Sequence, residues 1–496
     1  MAAHKLTRST HRSTELPNLV WHHAGTPRHS LGYRVSHRAV SVVAMVLVAA
    51  LTFVGTAAAA VWTDMSGTVK SQGVKSIVQD GKDDTENTLI DPYANEPIDI
   101  LLIGQDTREG SGNTAVGGAA DDTQGLHNSD TTMVLQIAAD RSYINLVSIP
   151  RDSMVDVPSC TTSNGEIAAQ YYVRFNSIFA NAYATGGDLA SAASCTLSAV
   201  NSLTGMDIKN FMVVDFAGLV KMIDAIGGVD ICVPVDTQDD TTQLDLKRGI
   251  HHLDGTQATQ YARMRKGTGT DGSDIMRTTR QQYLIKRLVK TALSKNYFTQ
   301  TSQLYQLAKA AIQSVQMSES LADVTALAGL AMSLKDFDTS RLYSQTVPIE
   351  ADPLNPQATV VWASTADAMW AKLREHKSLV ETSTSSSSSS DGSSSGSTDG
   401  SSDGSSDGSG TSDGTDSSGS SSSSDGSSTS GTDSGTDGST YDAATNTITK
   451  ADGTLIDADT NGIIDPETGA ITDPDTGQFM GLANRYIEVT YCPGIS

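Results

Sequence analysis

The sequence predicts a single α/β sandwich-like domain, a central sheet flanked by helices, exported behind one transmembrane helix and followed by a disordered tract. Three observations predict it. Short apolar runs ending in glycine or proline alternate with runs of helical period across residues 97–376, the pattern of strands and helices around one core. One long uncharged apolar run precedes that region. A Ser/Gly/Asp tract with almost no apolar side chains follows it.

The apolar run AVSVVAMVLVAALTFVGTAAAAVW, residues 39–62, is long enough to cross a hydrocarbon core as a helix. Residues 1–38 carry Lys5, Arg8, Arg12, Arg28, Arg34 and Arg38, with Glu15 as the only acid. The positive-inside rule keeps this tail cytoplasmic and sends the rest of the chain outward across the plasma membrane. A cleavable signal peptide, cut among the alanines at 57–60, is the competing reading. The long polar flank and the length of the run favour an uncleaved anchor. Residues 63–96 read as a polar stalk.

Within residues 97–376, IDILLIG (98–104), TTMVLQIA (131–138) and SYINLVSIP (142–150) read as strands. The last two are joined by a short turn at Ala139, Asp140 and Arg141. Helical period runs over 189–203 and over 216–226, where Gly227 and Gly228 stop it. VDICVPV (229–235) is another strand, and longer helices cover 277–293 and 304–317. Export permits disulfides. Of four cysteines, Cys160 and Cys195 are the preferred pair, although connectivity stays open. For Cys232 a plain buried apolar residue is the alternative to pairing, and Cys492 lies near the chain's end.

Residues 377–440 cannot offset their ordering entropy and read as a disordered acidic linker. Residues 441–496 form a turn-rich segment with imperfect repeats, DPETG from Asp465 and DPDTG from Asp473. Asp457, Asp459, Asn461 and Gly462 open like a calcium loop, but its twelfth position is Thr468, where the loop needs glutamate. A turn favouring Asp and Gly is the preferred reading there.

The net charge of −23, from 34 basic and 57 acidic residues, argues against bulk nucleic-acid binding. It leaves room for a local basic pocket. Asp106 and Arg108 follow the first strand, Asp130 opens the second, and Arg151 with Asp152 ends the third. Arg263 and Arg265 come next, then Asp274, Arg277, Arg280 and Gln281. The last three are spaced to share a helical face. Guanidinium groups grip phosphate oxygens and stay charged at any working pH. Two carboxylates at adjacent strand ends suit Mg2+, which takes oxygen ligands and fills its shell with water and phosphate. His251 and His252 read as loop residues, and the general base is unassigned.

These motifs run in a fixed order: DILLIGQDTR, NSDTTMVLQI, VSIPRDSMVDVP, RFNSIFANAYATGGD, NFMVVDFAGLVKMIDAIGGVDICVPV, and HLDGTQATQYARMR through DIMRTTRQQ. Over residues 97–293 the chain resembles the LytR-CpsA-Psr family. The resemblance implies an Mg2+-dependent phosphotransferase that moves a glycopolymer from a polyprenyl-pyrophosphate carrier to peptidoglycan. It implies Asp106 and Asp130 as metal-linked carboxylates. Arg151, Arg263, Arg265, Arg277 and Gln281 are implied as pyrophosphate contacts, with Arg108 and Arg280 beside them and Asp274 as an orienter. Asn128 stands where the family often has arginine, and KGTGTDGS after Arg265 is a longer, glycine-rich stretch. A lipid slot would draw on Ile178, Phe179, Leu189, Leu197, Val200 and the apolar residues of 216–223. Two rival readings stay open: hydrolysis, with water as acceptor, and a non-catalytic wall-binding or sensory protein.

Overall fold

The computed structural model describes residues 30–79, 91, 95–107, 113, 127–240, 242–270, 272–294, 301–380, 432–434, 438–475 and 477–495, with backbone alone at 30–39, 301–304 and 432–434. It divides into two units, residues 1–64 and 65–496. Helix α1 (Ser30–Ser71) outruns the expected apolar segment at both ends. From Val40 onward it is long and apolar enough to cross a membrane. Its apolar side chains are exposed, Leu51 at 71 % and Phe53 at 75 %, as hydrocarbon favours and water does not.

The second unit is built on a seven-stranded mixed sheet. Its strands are β1 (Gly73–Val74), β2 (Ile98–Asp106), β3 (Asn128–Ile137), β4 (Ile144–Ile149), β5 (Asn210–Asp215), β6 (Gln316–Ser318) and β7 (Leu342–Thr346), in the spatial order β1-β6-β5-β2-β3-β4-β7. β2 runs antiparallel to β3 and parallel to β5, and β4 is parallel to β7. Helices α2 (Asn176–Gly186) and α3 (Leu189–Thr204) cover one face, where Leu101, Val134, Phe179 and Phe211 are buried. Helices α4 (Phe216–Ala225), α5 (Gly255–Arg263), α6 (Asp274–Ser294), α7 (Thr301–Gln313) and α8 (Val324–Ser333) follow in the chain. The other face buries Ile100, Met133 and Leu146 against Ile285 and Val289 of α6 and apolar residues of α7 and α8. Asp188, Asp215 and Asp254 cap α3, α4 and α5 by accepting backbone N–H bonds, the last in a capping box with Gln257. Each such cap stabilises its helix by about 1 kcal/mol.

Two expectations change. The stalk begins inside the domain: Val69 is fully buried, Gly73 and Val74 pair with β6, and the Ile77 N–H donates to Ser194 Oγ. Its few apolar side chains pull it onto the sheet although its average is polar. His251 and His252 lie in a strand (Gly249–Leu253) paired with Val229–Val233, not in a loop. Cys232, for which the sequence offers a plain buried residue as the alternative to pairing, is disulfide-bonded to Cys492 across 260 residues. The Cys160–Cys195 disulfide is present.

The segment after residue 438 is also more than a string of turns. Strands from Thr432–Ser434 to Phe479–Leu482 form an antiparallel meander. Asp442, Asp452, Asp465 and Asp473 each accept the N–H two residues on, which fixes the turns. The calcium-like loop is one of these hairpins, with Asp457 engaged by Thr460. Helix α9 (Asn484–Tyr491) then returns to the α/β domain, burying Ile487 beside Tyr261, Tyr283 and Leu284. Most of the expected linker, residues 381–431 and 435–437, lies outside the described residues.

Candidate active site

The site forms where β2 and β4 end and β3 and α6 begin. The β2–β3 register shifts at Gly104 and Gln105, so that Gly104 faces Thr131 and Gln105 faces Ser129. Asp130 is left as the extra residue of a bulge, a device that re-aims a side chain at a sheet's edge. Gly104 is required there, since a Cβ would stand 2.9 Å from Thr131 Cβ. Pro150 closes β4 and delivers Arg151 and Asp152.

Five side chains then interlock. Arg151 Nη1 donates to Asp130 Oδ1 at 2.8 Å, while its Nε lies 3.4 Å from both Asp152 and Asp274. Arg277 pairs with Asp274 one turn before it on α6, and donates from Nη2 to the Asp130 carbonyl at 3.3 Å. Arg277 is 3 % exposed. Its Nε and Asp274 Oδ2 are buried without a hydrogen-bond partner among the described residues. Burial pushes the Asp274 carboxyl above its ordinary pKa, although Arg277 and Arg151 pull it down. Burial likewise lowers Arg277, against the pull of Asp274. Arg151 is also penalised by burial, but Asp130, Asp274 and Asp152 outweigh this and raise it. The cluster is thus a buried ion network that its own charges do not fully satisfy.

The remaining candidates are distributed around it. Arg265 stands close enough to act electrostatically on Asp274 and Arg277. Arg263 lies over the Phe216 ring at 4.4 Å. Gln281 donates to the Ala262 carbonyl. Arg280 turns away into the glycine-rich stretch, bonding the Gly269 and Met264 carbonyls. Asp106, at the end of β2, pairs in register with Asn128. Arg108 lies outside the described residues. The apolar slot candidates divide between two cores: Ile178 and Phe179 of α2 and Leu197 and Val200 of α3 are buried in one, and Ile223 packs with Tyr261 in the other.

One neighbouring group was not legible in the sequence. His127, just before β3, stacks on Tyr183 and bonds Gln105 at 2.7 Å. A polar cleft beside it is lined by Gln105, Gln72, Asp215, Lys221 and Gln316. Single residues scattered over so many elements carry no spacing signal.

Among the described residues, no group of three or more His, Cys, Asp or Glu side chains could hold a metal ion. Asp106 and Asp130 offer the hard oxygens that Mg2+ prefers. Asp106 closes β2 and Asp130 lies in the bulge opposite Gly104 and Gln105 of the same strand, and Mg2+ completes an oxygen shell with water and phosphate.

A mixed α/β fold carrying an arginine–carboxylate network at its strand ends defines the class. The chain belongs to the LytR_cpsA_psr family, whose model matches residues 63–375. Cell wall biosynthesis protein LcpA of Corynebacterium glutamicum is 30 % identical over 240 residues, 46 % of each chain. The teichoic acid transferase TagV of Bacillus subtilis is 26 % identical over 247 residues, 49 % of this chain and 55 % of its own. The chain spans about half the length of these curated relatives. The solved structure of B. subtilis TagV aligns with a TM-score of 0.42 at 22 % identity, covering 57 % of this chain and 97 % of that one.

Proposed function

We propose that this protein transfers a glycopolymer phosphate from a polyprenyl-pyrophosphate carrier to peptidoglycan outside the plasma membrane. The observation that carries the reading is the network of Asp130, Arg151, Asp274 and Arg277, in which a buried guanidinium N–H has no hydrogen-bond partner among the described residues. The related TagV is a polyisoprenyl-teichoic acid–peptidoglycan teichoic acid transferase, and the exposed apolar helix α1 suits a membrane anchor with its N-terminus in the cytoplasm.

In this reading Arg151 and Arg277 grip the pyrophosphate oxygens, with Arg263, Arg265 and Gln281 at the margin. Asp274 holds both central guanidinium groups in register before substrate arrives. Mg2+ bound by Asp106 and Asp130 would neutralise charge on the leaving phosphate. An acceptor hydroxyl oxygen bonds to the sugar-linked phosphorus, and the bond to the bridging oxygen breaks. Lipid monophosphate leaves, and the hydroxyl proton passes to a base in the site. The polar cleft beside Gln105 suits the hydroxyl-rich acceptor. Catalysis of this kind works through positioning and charge stabilisation.

The test incubates the full chain in detergent with a polyprenyl-pyrophosphate glycan, peptidoglycan fragments and Mg2+, followed by mass spectrometry. A phosphodiester-linked product that disappears in Asp130→Ala and on chelation supports the reading. Released phosphoglycan without coupling would make the protein a hydrolase. Bound, unchanged donor would make it a wall-binding protein.

A further inference from the structure

Helix α6 is held from two sides. Its sheet side is fixed by Gln282, which donates to Ser148 and Thr346, and by Ile285 and Val289. Its other side presents Tyr283, Leu284 and Arg287, all at most 2 % exposed. What buries that side includes the end of the chain, some 200 residues further on. Glu488 of α9 accepts from the Tyr283 hydroxyl at 3.1 Å and from Arg287 Nη1 at 3.3 Å. The Tyr283 hydroxyl in turn accepts from the Cys232 N–H, and Arg287 Nε donates to the Asp230 carbonyl. Cys232 is bonded to Cys492 at the end of the same tail helix. Ile487 and Cys492 share one core with Tyr261 of α5 and with Tyr283 and Leu284 of α6. Beyond that core, Arg248 lies over the Tyr491 ring at 3.9 Å, and Arg485 donates to the Ser340 carbonyl.

The elements gripped in this way are those that carry the phosphate-binding candidates. Arg263 ends α5, and Asp274, Arg277 and Gln281 lie on α6. From Arg277 to Arg287 is about 15 Å along a rigid helix, so a tilt set at Arg287 moves the guanidinium of Arg277. We propose that the C-terminal helix α9 is a positioning element of the phosphate-binding helix, acting through Glu488 on Tyr283 and Arg287. The tail then belongs to the transferase site and is not a separate module reaching into the wall. What α6 binds rests on the function proposed above; that the tail sets its position does not.

The experiment uses the full chain in detergent, with farnesyl pyrophosphate and Mg2+ as the binding probe and hydrogen exchange as the second readout. Glu488→Gln is expected to weaken pyrophosphate binding about fivefold, the scale of one ordinary hydrogen bond. It should also speed exchange across residues 274–284 and leave β2, β3 and β4 protected. Tyr283→Phe, which keeps the packing and removes only the bridging hydroxyl, is expected to weaken binding about twofold; it covers the case in which Glu488→Gln does not fold. Unchanged affinity at a temperature well below unfolding, with faster exchange confined to residues 438–495, would reduce the tail to a structural appendage and overturn the proposal. If the wild type binds no pyrophosphate, the functional reading fails instead, and exchange in α6 alone decides the positioning role.

Discussion

Helix α6 meets charge at both of its halves. Near its start Asp274 and Arg277 join Arg151 and Asp130, and further along Tyr283 and Arg287 meet Glu488. The two networks use the same groups and differ in closure. At the start, burial disfavours both members of the Asp274–Arg277 pair, and Arg277 Nε and Asp274 Oδ2 have no hydrogen-bond partner among the described residues. Further along, Glu488, Tyr283 and Arg287 engage one another and the neighbouring backbone. A buried network left incomplete is costly, and a ligand that completes it recovers that cost as affinity; a complete one only orders its surroundings.

The largest expected effect falls on the incomplete network. Arg151→Ala should lower transfer by about 100- to 1000-fold, the scale of one positioned charge donor, in the mass-spectrometric assay, and should cost less stability than removing Arg287, because the Arg151 side chain is 16 % exposed and that of Arg287 1 %. An equal loss of activity and stability would erase the distinction between the networks. Arg287→Ala is expected to act the other way, destabilising the fold by about 3 kcal/mol because it breaks a buried ion pair, as read by denaturant unfolding.

Asp274 sharpens the comparison through pH. Its pKa is raised by burial from the ordinary 3.8, so the folded chain holds this proton more tightly than the unfolded chain does. Its contribution to stability is therefore complete below the ordinary value and is lost as pH rises through the folded one. Asp274→Asn should flatten unfolding free energy against pH in that window, and an unchanged slope would refute the assignment. The smallest effect is at Arg174, 46 % exposed and 3.5 Å from Asp152. Arg174→Ala should shift stability by no more than about 0.5 kcal/mol, and a larger shift would extend the network outward to this surface pair.

Legibility in the sequence followed range. The strands at 98–104 and 131–138 and the helix at 189–203 were readable because apolar period and capping are local signals. Asp130, Arg151, Asp274 and Arg277 were readable as a set because their blocks stand in order, each at the end of a strand or the start of a helix. Arg280 looked equivalent to Arg277 by spacing, yet it turns to the Gly269 carbonyl, since helical spacing assigns a face and not a partner. The early part of the stalk was misread because Val69, Val74 and Ile77 are too few to shift a segment average, although they suffice to seat it on the sheet.

By itself, then, the sequence determined the apolar helix, the alternating α/β core and the residues that bring charge to the strand ends, because each depends on neighbours a few positions away. Tertiary structure alone decided that Cys232 meets Cys492, that Glu488 reaches Arg287, and that the tail closes over α6. Those partners are separated by 200 residues or more. Contacts at such distances follow from which surfaces remain to be covered once the local elements have packed, and no spacing in the chain records that.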